Sequence, residues 1–474
     1  MLTLADALEA LTNFRPPAVT VITEAVIDSR QVIPGSMFVA IPGQQVDGHD
    51  FIGEAFKRGA SFALIQRDVD ASFRALDLRS VSSAESFPEY DLTPPLCLRV
   101  ENTVTALQQI ARFWRRKLDL RVIGITGSVG KSTTKEMAAE VLSTRYRTLK
   151  SPGNLNNEIG LPLTVLRLSS GHQCAVMELG FYVPGEIAFL CDIALPQVGV
   201  VTNVGTVHAE RAGSQEAIAR GKAELVQALP PAPEGAAILN FDDPWVRKME
   251  EKTKARVFFY GLSPEADLWA DNVVGLGLEG IRFRLHYQGE TLHVKIPLIG
   301  RHSVHTALRA AAVGLVEGMN WQEILEGLNQ GHTQLRLAAV RSETGALLLD
   351  DTYNASPESM LAALNLLDEL DGRKVAVLGD MLELGPYERG GHEMVGLRAA
   401  QVAGVLLTLG ERAHIFAEAA RRAGMKKSSI IEFDELDPLV EWLKANLAKD
   451  DAVLIKGSHG LRMDRITSLL EVRS

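Results

Sequence analysis

The apolar run "RVIGIT" at 121–126 passes directly into "GSVGKSTT" at 127–134 and then into the helix-forming "KEMAAEVLS". A strand rich in branched residues, a glycine turn and a helix opening on lysine and hydroxyls together make a phosphate-holding loop. Glycines let backbone N–H groups converge on phosphate oxygens, and the helix N-terminus adds its dipole. Lys131 supplies a point charge and Ser132 a hydroxyl for Mg²⁺. Gly127, Ser128, Val129, Gly130, Lys131, Ser132 and Thr133 are therefore candidate nucleotide contacts. The string is the short GxxGK[ST] form, with Ile125 where the longer loop begins on glycine. A plain glycine turn with a surface lysine is the alternative, and the flanking strand and helix argue against it. The loop alone leaves open whether water, a hydroxyl or a carboxylate receives the phosphate.

Such a loop belongs at the end of a strand in a doubly wound sheet, and the chain around it alternates accordingly. A helix at "NTVTALQQIARFWRRKL" precedes it, and strands follow at "CAVMEL", "VGVVTNV", "AAILNF" and "RVFFYG". Residues 266–296 read as a β meander appended to that sheet, closed by a helix over about 302–317. After "GHTQLR" the alternation restarts with "ALLLDD", "SPESMLAALNLLDEL", "KVAVLGD", "GVLLTLG" and "AVLIKG". Before residue 97, short strands ("AVTVITEAVID", "MFVAIPG", "SFALI") surround one helix, "DFIGEAFKRGA", and the diproline in "DLTPPLCLRV" reads as a linker. A length of 474 residues also exceeds what one core usually serves. The expectation is an α/β chain of three domains. Residues 1–97 form a small α/β domain, 98–332 a central phosphate-loop domain with a mainly parallel sheet and appended meander, and 333–474 a Rossmann-like domain.

The net charge of −10, with no block of lysine or arginine, argues against nucleic acid and anionic membrane as partners. Cys97, Cys174 and Cys191 have no metal-binding spacing and read as buried thiols of a reduced, cytoplasmic protein. The N-terminal "MLTLADALEALTNF" reads as an amphipathic helix and not as a signal peptide, and no apolar stretch is long enough for membrane insertion.

Ligands of doubly wound sheets sit at the carboxyl ends of strands, which singles out several polar residues. Glu178 ends "CAVMEL" and is either a solvated strand end or, with Ser132, a Mg²⁺ ligand. His208 follows "VVTNVGTV" as a loop residue or a ligand. Asn154, Asn156 and Asn157 are turn formers or site residues. Asn240 and Asp243 in "ILNFDDP" are compatible with a helix N-cap. Lys222 lies among Ala217, Ile218, Ala219, Leu225 and Val226 in a helix, where a lysine usually snorkels outward.

Together these strings resemble the Mur ligases, ATP-dependent amide-forming enzymes of peptidoglycan assembly, from about residue 26 to 466. The resemblance is carried by "DSRQVIPGSMFVAIPGQQVDGHDFI", "NLNNEIGLPLT", "MELGFYVPGEI", "DDTYNASPESM", "VLGDMLELG" and "KGSHGLRMDRI". The strings are most similar to the member acting last in the series. The resemblance then implies that the phosphate goes to a carboxylate. ATP would phosphorylate the peptide of UDP-N-acetylmuramoyl-tripeptide, and D-alanyl-D-alanine would displace the phosphate to give the pentapeptide.

The same resemblance implies the site. Residues 127–133 would cradle the ATP phosphates. Ser132 and Glu178 would hold one Mg²⁺, and Glu178, His208 and Lys222 a second, with Lys222 carbamylated by CO₂. Lys131, Glu178, His208, Lys222 and Asn157 would form the catalytic group. Asn240 and Asp243 would face the adenine, and Arg336 and Asp351 would complete the nucleotide site, with Tyr353 and Asn354 closing on it from the third domain. Ser29, Arg30, Asp47, Gly48 and His49 would bind the UDP-sugar. A monomer is expected. Two departures stand out: Ser303 and Thr306 replace asparagines usual in the family's "GxHNxxN", and Ser356 stands where asparagine is common.

Two relatives of the same class remain as alternatives. The preceding ligase of the series often carries a "DNPR"-type string, which is absent here, and folylpolyglutamate synthases lack a UDP-binding first domain. A phosphate-loop switch or motor is the alternative from another class.

Overall fold

The computed structural model describes residues 1–43, 46–79, 81, 91–207, 209–330 and 338–471. His208 and Arg336, both expected at the site, lie outside the described residues, as does the expected boundary near 332.

Three sheets carry the chain. The first is wholly parallel, in the spatial order Ala25–Val26, Met37–Val39, Phe62–Ile65, Leu96–Arg99, Ala75–Asp77. The strand expected across "AVTVITEAVID" shrinks to two residues, because this segment is the sheet's outer edge and has only one neighbour to pair with. Its earlier part crosses back to the N-terminus, where Val21 bridges Thr3.

The second sheet has nine strands. Its parallel part runs Thr148–Lys150, Cys174–Glu178, Arg121–Thr126, Val198–Val201, Ala236–Asn240, Arg256–Gly261, Leu268–Gly275. Ile281–Tyr287 and Glu290–Ile296 then add antiparallel. The meander is thus continuous with the parallel sheet, through Tyr260 and Gly261 paired with Leu268 and Trp269. Arg121–Thr126 is the strand where the winding reverses: the chain runs to the edge strand Thr148–Lys150, fills in Cys174–Glu178 between, and then crosses to the other side, which opens a crevice at its carboxyl end. The phosphate loop sits there. A further helix, Trp321–Asn329, follows the helix Val304–Val316; it is capped by Asn320 and Glu323, a box too brief to stand out in the sequence.

The third sheet runs Ala338–Arg341, Leu347–Asp350, Asp451–Lys456, Arg373–Gly379, Val405–Leu409, Ile430–Phe433 and is parallel except for its first strand. Sequence periodicity misses the strand Ile430–Phe433 and the helix Leu436–Asn446 beyond it.

The helix Thr103–Arg116 ties the first two sheets together. Asn102 caps it, and its apolar face (Ala106, Leu107, Ile110, Ala111, Trp114) is buried. These residues belong to one continuous core that runs from Leu4, Leu8 and Phe62 to Leu161, Leu179 and Leu225. Trp114 Nε1 donates to Leu168 O and Gln108 Nε2 to Glu158 O, both at 2.9 Å. The third sheet has cores of its own. It meets the central part through polar contacts such as Arg301–Glu369 at 3.2 Å and Arg211–Glu383 at 3.7 Å.

Candidate active site

The phosphate loop is held by the strand next to it. Ser128 N–H donates to Asn203 O (3.0 Å), Val129 N–H to Asn203 Oδ1 (2.9 Å), and Thr202 Oγ1 to Val129 O (2.7 Å). Gly127 has φ 145°, and a Cβ there would stand 1.8 Å from Thr202 Oγ1, so no other residue fits. Gly130 caps the helix Lys131–Ser143 with φ 84° and no side-chain hydrogen bond. The first N–H groups of that helix therefore lack a side-chain cap, which is the geometry of an anion site. Lys131 Nζ curls over the loop and donates to Gly127 O at 2.8 Å.

Glu178 is register partner of Ile125 and buried at the end of its strand. It accepts from Ser132 Oγ at 2.5 Å and from Asn156 Nδ2 at 2.9 Å. The expected pair of Mg²⁺ ligands thus stands side by side. Asn156 is the asparagine of its trio that reaches the carboxylate. Asn157, expected in the catalytic group, uses Oδ1 to accept from Gly160 N–H at 2.8 Å and so opens the helix Gly160–Leu166. Among the described residues, no three His, Cys, Asp or Glu side chains converge as a metal cage. A hydroxyl and one carboxylate beside a phosphate loop suit Mg²⁺, which keeps waters and shares itself with substrate phosphates.

Lys222 does not snorkel. It is 1 % exposed in the middle of the helix Gln215–Gln227, with Nζ 4.8 Å from the centroid of the Phe181 ring. Gly221 makes this approach possible, because a Cβ there would lie 2.0 Å from Phe181 Cε2. Burial first, and then the nearby charge of Lys131, push the amine's pKa well below its ordinary 10.5. Glu224, two residues on, is engaged elsewhere: it accepts from Gly185 and Ala188 N–H at 2.6 and 2.9 Å. An amine is a poor ligand for a hard cation, whereas its carbamate would present oxygens. Lys222 therefore fits the expected second Mg²⁺ set only when carbamylated.

The loop forms one wall of a cleft of about 400 Å³ whose other wall comes from the third sheet. Asp351, Tyr353, Asn354 and Lys456 line it from strand ends there. Lys456 is buried and donates to Asp351 Oδ2 at 2.7 Å and to Asn354 O at 2.9 Å. Glu358, at the start of the helix Pro357–Glu369, reaches across to Thr206 N–H at 3.4 Å. Ser356, a departure from the family pattern, N-caps this helix through Ser359 N–H at 3.2 Å.

A second cavity of about 410 Å³ adjoins the cleft, with Asn240 and His305 on the lining of both. Asp243 lies on it and also caps the short helix Pro244–Arg247 while accepting from Val204 N–H at 2.8 Å. Asn240 donates to Thr202 O at 3.0 Å. His305 is pushed down to about 4, by burial and then by the Arg309 charge, and its Nδ1 has no hydrogen-bond partner among the described residues. Ser303 turns back to Ile299 O at 2.7 Å, and Thr306 accepts from Arg309 Nη2 at 2.9 Å.

The first-domain candidates share the carboxyl ends of their sheet. Asp47 caps the turn Gly48–Phe51 and lies 2.6 Å from His49 Nδ1. Gln66 N–H donates to His49 Nε2 at 3.0 Å, so Nδ1 carries the proton and the tautomer is fixed. A Cβ on Gly48 would meet Ile41 N at 2.7 Å. Ser29 Oγ donates to Glu54 at 3.0 Å, while Arg30 has an 80 % exposed side chain and, among the described residues, pairs only with Asp28, at 2.7 Å. Sequence reasoning missed Asn203, Glu358, Arg309 and Lys456. Lys456 stands within one of the strings that carry the family resemblance, but nothing local marks it as Asp351's partner.

Three family matches tile the chain: the Mur ligase family catalytic domain over 21–115, the Mur ligase middle domain over 125–314, and the Mur ligase glutamate ligase domain over 335–459. The UDP-N-acetylmuramoyl-tripeptide–D-alanyl-D-alanine ligase of Bacillus subtilis is 34% identical over 455 residues, covering 94% of this chain and 93% of that protein. A crystal structure of MurF from Acinetobacter baumannii superposes with a TM-score of 0.82 at 30% identity, covering 98% and 97% of the two chains. The MurF ligase of Thermotoga maritima in complex with ADP superposes with a TM-score of 0.77 at 28% identity, covering 94% and 96%.

Proposed function

The chain belongs to the Mur ligase family, and from that membership and the cleft we infer that it joins D-alanyl-D-alanine to UDP-N-acetylmuramoyl-tripeptide at the expense of ATP. The observation that carries this reading is the two-walled cleft, with a phosphate loop on one side and Asp351, Tyr353, Asn354 and Lys456 of another sheet on the other.

A carboxylate resists attack by an amine because its leaving group would be an oxide. Transfer of the γ-phosphoryl of ATP to a carboxylate oxygen of the tripeptide breaks the bond to ADP and forms an acyl phosphate. The amine of D-alanyl-D-alanine adds to the acyl carbon, loses a proton, and phosphate departs with the C–O bond. The products are the pentapeptide, ADP and phosphate.

Both reactants of the first step are anions, so the protein's work is electrostatic positioning. Loop N–H groups and Lys131 face the phosphates, and Ser132 with Glu178 would hold Mg²⁺, which offsets the nucleotide's charge. Lys222 is read as a carbamate. CO₂ adds to neutral amines, and the suppressed basicity of this buried lysine keeps it neutral. The third domain brings the acceptor side and excludes water that would hydrolyse the acyl phosphate. Ser29, Arg30, Asp47, Gly48 and His49 are assigned to the UDP-sugar. All three parts come from one chain, which supports action as a monomer, and the substrates support a cytoplasmic setting; no helix among the described residues is long and apolar enough to cross a membrane.

The test is to offer UDP-N-acetylmuramoyl-di- and tripeptides with ATP and Mg²⁺, adding either single amino acids or D-alanyl-D-alanine, and to weigh the products. A mass gain of one dipeptide less one water, on the tripeptide alone, is expected. Phosphate release that ignores the amine would instead favour a switch or motor.

A further inference from the structure

Among the described residues, Arg309 is a buried cation without a counter-charge. It lies in the second turn of the helix Val304–Val316 and is 4 % exposed. Among the described residues its three nitrogens bond only to hydroxyls: Nε to Thr134 Oγ1 (2.7 Å), Nη2 to Thr306 Oγ1 (2.9 Å) and Nη1 to Tyr260 Oη (3.4 Å). No carboxylate among them lies within ion-pair distance of it. A guanidinium has five N–H donors, and these bonds account for three.

A charge so placed is expensive unless something compensates it. The position says what does. Arg309 lines the nucleotide cleft, and its Nη2 would stand 3.0 Å from a Cβ on Gly130, the last residue before the phosphate-loop helix. It is also wired to the loop's backbone, since Thr134 Oγ1 accepts from Arg309 and donates to Gly130 O at 2.6 Å. Thr306, which replaces an asparagine usual in the family, serves here to aim the guanidinium.

We propose that Arg309 is a second phosphate anchor for a nucleoside polyphosphate, acting beside Lys131 from the opposite wall of the loop. This rests on the ATP-dependent reading above. The bound phosphates supply the missing counter-charge. The forked guanidinium suits two phosphate oxygens at once, whereas Lys131 contributes a point charge. Arg309 also explains how Ser303 and Thr306 are tolerated in this segment: a charge directed at the phosphates takes over from the amide hydrogen bonds that asparagines would offer the nucleotide.

The test compares ADP with adenosine by calorimetry on the full chain, for the wild type, Arg309→Gln and Arg309→Lys, at two salt concentrations. Folding of each variant is checked by its unliganded melting curve. In Arg309→Gln the expected result is an ADP affinity about tenfold weaker or more, with adenosine affinity unchanged and a shallower salt dependence. KM for the UDP-sugar substrate stays as in the wild type. Arg309→Lys recovers part of the ADP affinity and the salt dependence. Equal weakening of ADP and adenosine in a folded variant, or no weakening of either, overturns the proposal and makes Arg309 a packing residue. If Arg309→Gln fails to fold, Arg309→Lys decides: salt-sensitive ADP binding with adenosine unaffected supports the anchor, and a parallel loss of both ligands refutes it. A wild type that binds no ADP removes the ATP-dependent reading itself, and the anchor with it.

Discussion

Lys222 Nζ lies 4.8 Å from the centre of the Phe181 ring, inside a helix whose neighbouring glycine exists to let that ring approach. An aromatic lid over a lysine near a phosphate loop keeps water away from the amine. With its folded pKa depressed, Lys222 binds its proton less readily in the native state than in the unfolded chain. Unmodified protein therefore gains stability as pH rises toward 10.5 and loses it below.

The first prediction concerns this residue. On the carbamate reading, Lys222→Ala should lower kcat by about a hundredfold or more while ATP binding persists, and Lys222→Arg should fare no better, because it restores a cation where that reading requires an anion. Acetate or formate at high concentration should restore part of the Ala variant's rate. Isotopically labelled CO₂ should give a carbamate resonance in the wild type only. An active Lys222→Arg enzyme would rule out the carbamate.

Lys131→Ala should cut turnover by at least about a hundredfold without unfolding the chain, since the amine donates to carbonyls of its own loop and ties no distant elements together through them. Circular dichroism and phosphate release, measured on the same sample, separate the two effects. Unchanged release from a folded variant would displace the phosphates from this loop.

Arg30→Ala should raise KM for the UDP-sugar substrate by about tenfold or more and leave KM for ATP nearly unchanged. The residue is exposed and its only salt bridge among the described residues is to Asp28 two positions away, so stability should hardly move. Equal effects on both substrates would remove the first domain's assigned role.

Asp6 gives a pH-dependent prediction. Burial opposes its ionisation, but hydrogen bonds from Arg15, Thr3 and Lys117 prevail and bring it from 3.8 to about 2. A depressed carboxyl stabilises the fold above its unfolded pKa and loses that contribution as pH falls through the folded value. Asp6→Asn should therefore cost about 2 kcal/mol at neutral pH, and the gap in melting temperature to the wild type should narrow from about pH 4 and close near about pH 1. A gap still undiminished at about pH 1 would show that the charge is not responsible.

What the sequence discloses follows the range of the interactions. The phosphate loop, the strand ending at Glu178 and the burial-prone helix around Lys222 are local patterns, and each is found where its pattern places it. The pairing of Ser132 with Glu178 is legible for a related reason, since both follow from neighbouring strands of one sheet. Arg309 reads as an ordinary helix arginine until Thr134, 175 positions earlier, is seen to meet it. Asn203 and Lys456 are equally silent, because their partners come from other strands. Asn156 and Asn157 cannot be ranked from the string alone: a single step along the turn sends one to Glu178 and the other to a helix start.

The shared core beneath the helix Thr103–Arg116 has a consequence for how the donor is measured. With the first two sheets sharing one core, the place assigned to the uridine end and the loop assigned to the reactive carboxylate would stand at a set separation. A donor one residue short would leave its carboxylate stranded before the phosphate, and one residue long would overshoot it. On that assignment the enzyme would gauge peptide length as a caliper does, without reading the intervening side chains.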